Sequence, residues 1–257
     1  QYYVPEFGFV AEPAPSKTTT TPPTRSWNGA TYVRSLAAEA IHETTWQAAD
    51  GGTVHVRAGS RGQLIALSEG PTGAGYLICD WCGAGRALDG KMVTSHPHLL
   101  RDIECAGPMR QRSLAHPYET DLLDLTFDHL AMPVTADTAS WRSLLYALLE
   151  GAAERMELSR DDIDGALHRR PGNEIGIVMF DTVPGGAGAV LRIADALDRV
   201  LEAALDRVSE CDCGEETSCY GCLRSFRNQR HHEELSRRAA IDVLRPLVSG
   251  QGLIMLR

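Results

Sequence analysis

The sequence lacks the long apolar segments with which proteins enter or cross a membrane. No stretch approaches about eighteen uninterrupted apolar residues, the length that a bilayer-spanning helix requires. The first residues, QYYVPEFGFV, have neither the charged start nor the apolar core of a secretion signal. We therefore expect a cytoplasmic protein without a membrane partner.

Motifs of the common hydrolases and nucleotide-driven motors are also missing. The chain has no GxxxxGK[ST] phosphate loop, no HExxH and no GxSxG. In DTVPGGAG, Gly186 and Gly188 lack the third glycine of a dinucleotide fingerprint. We interpret this segment as a strand-to-helix turn in which Asp181 accepts hydrogen bonds from local amides, with a phosphate-binding active site as the alternative. We do not expect this chain alone to be an enzyme.

A surplus of positive charge is absent as well. The 257 residues include 25 Lys and Arg against 34 Asp and Glu, which gives a formal net charge of -9. Affinity for nucleic-acid phosphates comes from Lys and Arg, so this composition excludes a protein coated for nucleic-acid binding. Any nucleic-acid site must be local.

What the sequence does contain is enough apolar material for a sizeable core, since 43% of its residues are hydrophobic. We expect three parts. Residues 1–70 hold an aromatic entry segment, a Pro/Thr-rich loop at 11–26 and the first strands. Residues 71–135 form a strand region that resembles a zinc knuckle, and residues 136–257 form a helical zinc-binding domain.

Hydrophobic periodicity sets the expected elements. Gly-bounded apolar runs between residues 48 and 80 predict a meander of short strands, and DLLDLTFDHLAM predicts another strand. Apolar residues recur every three or four positions from Trp141 to Met156, which predicts a buried helix. The nearly continuous apolar run EIGIVMFDTV predicts a strand covered on both faces.

Three more helices are expected in the second half of the chain. Ser159 followed by Asp162 predicts the start of a short helix. An apolar stripe predicts one long helix over residues 187–209, and a last helix is expected from about Glu233 to Leu247. The predicted fold class is therefore α+β, with a strand-rich N-terminal half and a helical C-terminal half that carries a four-cysteine cluster.

Four of the seven cysteines stand close together, at Cys211, Cys213, Cys219 and Cys222. In a reducing compartment such thiols bind metal more often than they form disulfides. Four thiolates around one ion are the closed tetrahedral arrangement of structural zinc. We predict a Zn²⁺ site here, with inert core thiols or a redox pair as the alternatives.

Cys79, Cys82 and Cys105 indicate a second knuckle that lacks one ligand. CDWCG has the C-x-x-C-G form in which the glycine lets backbone amides turn toward the sulfurs. His96 and His98 both lie between the two halves of the motif. We favour His98 as the fourth ligand.

Two alternatives to this second site remain open. In one, Cys79 and Cys82 share a single ion with Cys219 and Cys222. In the other, the chain has no second metal, and Cys105 is buried and inert.

A basic segment follows the last cysteine directly. LRSFRNQRHH contains Arg224, Arg227 and Arg230 at three-residue spacing, which on a helix would place them along one side. We predict that these arginines contact the phosphates of a nucleic-acid backbone. A solvated helix face or internal ion pairs to the many acids is the alternative.

The cysteine block CDCGEETSCYGCLRSFRNQRHHEELSR, with FDTVPGGAG upstream, resembles the zinc-binding domain at the C-terminus of MrfA-type superfamily 2 DNA helicases. The same domain occurs in the DrmB protein of DISARM anti-phage systems. CDWCG, HPYETDLLDL and YYVPEFGF are similar to the stretch before that domain. The resemblance implies that the four clustered cysteines bind zinc.

Because the ATPase motifs of these helicases are absent here, the resemblance implies an accessory part of a helicase or of a split helicase system. Its implied role is to engage DNA beside a motor, in the same or another chain, during DNA repair or anti-phage defence. The alternative function is a zinc-stabilised scaffold that docks a helicase or nuclease partner without touching DNA.

Overall fold

A computed structural model describes residues 2–4, 29–35, 40–70, 72–88, 94–128, 138–169 and 175–255. The Pro/Thr-rich loop expected at 11–26 lies outside these residues, as does most of the aromatic entry segment. Among the described helices, none has both the length and the apolarity needed to cross a bilayer.

The described elements confirm the α+β class. The strands are β1 (Tyr2–Tyr3), β2 (Gly29–Ser35), β3 (His42–Gln47), β4 (Thr53–Ser68), β5 (Tyr76–Cys79), β6 (Gly85–Ala87), β7 (His96–Pro97), β8 (Glu104–Cys105), β9 (Met109–Asp128), β10 (Ile163–Arg169), β11 (Ile175–Asp181) and β12 (Gln251–Met255). The helices are α1 (Thr138–Arg155), α2 (Ala189–Asp195), α3 (Leu197–Ser209) and α4 (Arg237–Val248). A 3-10 helix occupies Phe226–Glu234.

Two compact units divide the chain. One comprises residues 1–32 and 65–117, and the other residues 33–64 and 118–257. The three-part division expected from the sequence differs from these units, because the long strands β4 and β9 each contribute residues to both.

The first unit is built around short antiparallel pairs. Strand β5 pairs with β6 on one side and with residues 109–112 of β9 on the other. Strands β7 and β8 form a separate two-stranded pair in which His96 lies directly opposite Cys105.

The second unit packs helices against a sheet with the strand order β10-β11-β9-β4-β3-β12. Strand β11 is buried at six of its seven positions, as its apolar run predicts. Helix α1 lies against α3 and α4, and its buried face carries Leu144, Leu145 and Leu148. At Gly151 an added Cβ would lie 2.6 Å from the backbone N of Ala204, so this glycine lets α1 approach α3 closely.

Several sequence-based expectations about the elements were wrong. The first two apolar runs of the expected meander form one strand, β4, which continues through Arg61 with a left-handed φ of 61°. Ser159 starts a turn and not a helix, because the Asp162 carboxylate accepts the Ser159 N–H and β10 follows at once. The expected long helix is interrupted at Ala196, whose ψ is 29°.

Candidate metal centres

The first cluster is formed by the loop that follows α3. Helix α3 ends at Ser209, and Cys211 and Cys213 come directly after it. The turn from Cys219 to Cys222 is closed by the Cys219 carbonyl, which accepts hydrogen bonds from the amides of Cys222, Leu223 and Arg224. Two further amides donate to sulfur atoms. The Gly221 amide lies 3.3 Å from Cys219 Sγ, and the Cys219 amide lies 3.2 Å from Cys222 Sγ.

The four sulfur atoms have the spacing of a tetrahedral zinc site. Cys211 Sγ lies 3.6 Å from Cys213 Sγ and 3.5 Å from Cys219 Sγ. Cys222 Sγ lies 3.7 Å from Cys213 Sγ and 3.9 Å from Cys219 Sγ. Sulfurs that surround zinc at about 2.3 Å in a tetrahedron are about 3.8 Å apart. The thiols are free and not joined in disulfides. The residues present therefore fit a Zn²⁺ ion.

Electrostatics explain why this cluster needs a cation. Burial, together with the neighbouring Cys213 and Cys211, raises the pKa of the Cys222 thiol to about 12. Burial also opposes ionisation of Cys219, but the Gly221 N–H and the adjacent thiols outweigh it and lower the pKa of Cys219 to about 7. Four thiolates cannot share this space unless a metal ion compensates their charge.

Two arginines tie the cluster to the surrounding helices. Arg237, the first residue of α4, is 4% exposed and donates to the carbonyls of Val208 at 2.7 Å, Ser209 at 3.2 Å and Cys213. Its Nη1 also lies 3.9 Å from Cys213 Sγ. Arg207 donates to the Cys222 carbonyl at 3.2 Å. The end of α3, the cysteine loop and the start of α4 are thus joined by one buried guanidinium.

Sequence reasoning missed Arg237, because an arginine at the start of a helix normally indicates a solvated position. Arg237 links the cysteine loop to α4, a connection that the sequence did not reveal.

The basic segment does not form the continuous helix expected from its arginine spacing. Arg224 precedes the 3-10 helix, and Asn228 inside it has non-helical backbone angles. The Asn228 side chain accepts the Ser225 N–H at 2.8 Å and donates to the Leu223 carbonyl at 2.8 Å. His232 Nε2 lies 3.0 Å from both Asn228 Oδ1 and the Ser225 carbonyl, so this nitrogen donates. These bonds fix the conformation of the segment directly after the last cysteine.

The three arginines consequently differ in environment. Arg224 is half-buried and donates to Ser218 Oγ at 3.0 Å and to the His232 carbonyl at 3.2 Å. Arg227 is exposed and lies 2.9 Å from an Asp161 carboxylate oxygen and 3.9 Å from one of Asp164. Arg230 is exposed, and its Nε donates to His231 Nε2 at 2.9 Å. Arg227 and Arg230 lie within the 3-10 helix, whereas Arg224 precedes it and is used by internal hydrogen bonds.

The second cluster lies in the other unit and contains His96, not His98. Cys79, Cys82, Cys105 and His96 place their ligand atoms within 4.8 Å of one another. The reason is the β7–β8 pairing, which puts His96 opposite Cys105. His98 follows β7, and its Nδ1 accepts the Leu100 N–H at 3.1 Å.

Cys79 and Cys82 lie with Cys105 and His96, and Cys219 and Cys222 lie with Cys211 and Cys213, so each C-x-x-C pair has a cluster of its own. Within the second cluster, burial opposes ionisation of Cys79, but amides of Cys82 and Trp81 outweigh it and lower the pKa of Cys79.

The glycine-rich turn is held together internally, as its favoured interpretation predicts. The buried Asp181 carboxylate accepts the amides of Ala187 at 2.6 Å, Ala189 at 3.0 Å and Val190 at 2.9 Å. It therefore caps the start of α2 and stabilises the positive end of the helix dipole.

The first centre lies in a segment that is similar to a known family. The family model of the MrfA Zn-binding domain matches residues 144–223, a segment that includes all four cysteines of the first cluster. Over this segment the chain is similar to the MrfA Zn-binding domain. The resemblance expected from the sequence is thereby confirmed for this segment.

A curated relative extends beyond that segment. Druantia protein DruE of Escherichia coli (strain UMEA 4076-1) is 27% identical over 217 residues, which covers 73% of this chain and 12% of DruE. The chain thus spans about an eighth of the length of this relative.

Among solved structures, the DUF1998 helicase MrfA bound to DNA has a TM-score of 0.49 at 12% identity, covering 86% of this chain and 25% of that chain. The crystal structure of DUF1998 helicase MrfA gives a TM-score of 0.41 at 13% identity and covers 80% of this chain and 24% of that chain.

Proposed function

We propose that this chain is the zinc-binding accessory part of a superfamily 2 DNA helicase or split helicase system, and that it engages DNA in repair or phage defence. The family match to the MrfA Zn-binding domain supports the helicase association. Zinc at Cys211, Cys213, Cys219 and Cys222 would be structural, because four cysteines leave no open coordination position for substrate.

The observation that carries the proposal is the surface beside this cluster. Residues 217–232 contain three arginines and two histidines but no Asp or Glu, although the whole chain has a net charge of -9. Tyr220 is 63% exposed and Phe226 53% exposed in the same segment. Arginines that bind phosphates, interleaved with aromatic rings on which bases stack, are the usual composition of a single-strand binding surface.

The three arginines would contribute unequally. Arg227 and Arg230 are exposed, and we propose that both bind phosphates. The ion pair of Arg227 with the exposed Asp161 is a surface pair of about 1 kcal/mol at most, so a DNA phosphate can replace it. Arg224 would mainly position the segment, since part of its guanidinium is used by Ser218 and His232.

The test is DNA binding by Arg227→Ala/Arg230→Ala at several salt concentrations, measured by fluorescence anisotropy with single- and double-stranded oligonucleotides. Losing two phosphate contacts lowers the slope of log K against log salt by roughly 1.4 to 1.8 and leaves the zinc content unchanged. The matched control is Arg192→Ala/Arg199→Ala, which removes the same charge from exposed positions on α2 and α3. Equal effects of the two double variants, or none, would refute the assignment.

A second candidate is the zinc-stabilised scaffold that docks a helicase or nuclease partner without touching DNA. It is favoured by the acidic net charge and by four exposed apolar side chains around the second cluster, Trp81, Leu99, Leu100 and Ile103. Wild-type chain that binds no oligonucleotide at low salt, yet comigrates with a helicase motor, would support the scaffold over the DNA-binding role.

A further inference from the structure

The second cluster has the atomic arrangement of a metal site in its own right. Cys79 Sγ lies 3.9 Å from Cys105 Sγ, and Cys82 Sγ lies 3.3 Å from His96 Nε2. In a tetrahedral zinc site the corresponding sulfur–sulfur and sulfur–nitrogen separations are about 3.8 and 3.6 Å. These residues fall outside the segment 144–223 that the family model matches.

Backbone amides in both halves of the cluster point at the sulfurs. The amides of Trp81 and Cys82 lie 3.3 and 3.5 Å from Cys79 Sγ. On the other side, the Gly107 amide lies 3.4 Å from Cys105 Sγ. A neutral thiol is a weak acceptor, whereas a thiolate bound to metal is stabilised by such N–H groups. Each half is thus a turn shaped around a sulfur ligand.

His96 is placed as a ligand and not as a surface residue. It is 8% exposed, and its Nδ1 is buried without a hydrogen-bond partner among the described residues. Burying an imidazole costs free energy unless a strong interaction compensates it. Its Nε2 faces Cys82 Sγ, where zinc coordination supplies that interaction.

Apolar packing does not account for the conformation of this segment. Among the described residues between Cys79 and Cys105, four large apolar side chains are exposed: Trp81 at 73%, Leu99 at 58%, Leu100 at 85% and Ile103 at 57%. Its interior is instead occupied by Cys79, Cys105 and His96, which are buried. A small segment without a core of its own is typically stabilised by a structural metal.

We propose that Cys79, Cys82, Cys105 and His96 bind a second structural Zn²⁺ ion, independently of the four-cysteine cluster and of any DNA contact.

The experiment counts zinc per chain by elemental analysis, on the full 257-residue protein purified without added metal and dialysed against a mild chelator. Wild type should hold two zinc ions. His96→Ala should lose close to one of them, because its Nε2 is a ligand, while His98→Ala should retain both. The Cys219→Ser/Cys222→Ser variant should keep the ion of the second cluster.

A second measurement guards against variants that fail to fold. His96→Cys retains four ligands, so this variant should hold two Co²⁺ ions in metal-replaced protein, with a charge-transfer spectrum shifted toward that of four-thiolate coordination. One metal per wild-type chain, or equal zinc loss in His96→Ala and His98→Ala, would overturn the proposal. Neither result bears on the DNA test with the Arg227 and Arg230 variants, so the two proposals fail separately.

Discussion

Replacing Arg237 with Met should destabilise the second unit severely. Methionine keeps much of the side-chain volume but leaves the carbonyls of Val208, Ser209 and Cys213 without their charged donor, in a site where Arg237 is 4% exposed. A hydrogen bond to a charged group contributes roughly 1.5–3 kcal/mol, and bonds to one group are not additive. We expect the free energy of unfolding to fall by about 3–5 kcal/mol.

Urea unfolding followed by circular dichroism at saturating zinc measures this loss, and Arg238→Met is the matched control. Arg238 is the adjacent residue but is exposed and forms surface ion pairs with Glu215 and Glu216, so its replacement should cost less than about 1 kcal/mol. Zinc affinity should fall about 10- to 100-fold in the Arg237 variant, because this side chain orients the loop that carries a ligand. Equal losses in the two variants would refute the reasoning.

Two further predictions concern packing and pH. Gly151→Ala should lower the free energy of unfolding by about 1–3 kcal/mol, because the added Cβ would overlap the backbone of Ala204. This loss is expected even though Ala favours helices. A variant that is stabilised in thermal unfolding would contradict this packing. Burial, with the cations of Arg142 and Arg230, lowers the pKa of His231 to about 4, below its value of about 6.5 in the unfolded chain. The unfolded chain therefore takes up the proton first, and stability present above pH 6.5 is lost as the pH falls toward 4. His231→Gln should reduce this loss by about 1–2 kcal/mol, after allowing for partial exposure, and identical pH profiles of unfolding would refute the assignment.

The sequence predicted the elements that are determined by the pattern of their own residues. The periodicity from Trp141 to Met156 predicted α1 within three residues at each end, and the apolar run around β11 predicted its burial. Cysteine spacing alone was sufficient for the first cluster, because its four ligands lie within one loop.

The errors lie where tertiary pairing decides. His96 lies in the second cluster, and His98 does not, because β7 pairs with β8 and this pairing puts His96 opposite Cys105. Nothing within the tripeptide HPH reveals which histidine faces Cys105. The break at Ala196 has no glycine or proline to mark it. Arg224, Arg227 and Arg230 have helical spacing, but Asn228 and His232 form side-chain bonds that impose a 3-10 conformation instead.

The most direct test of the account is DNA affinity measured as zinc is added back to metal-free protein. If the four-cysteine cluster holds the arginine segment in its binding conformation, affinity should rise in step with zinc occupancy of that cluster, and Cys219→Ser/Cys222→Ser should show no rise. Metal-free chain that binds DNA as tightly as zinc-loaded chain would contradict the central claim that this zinc site organises the DNA-binding surface.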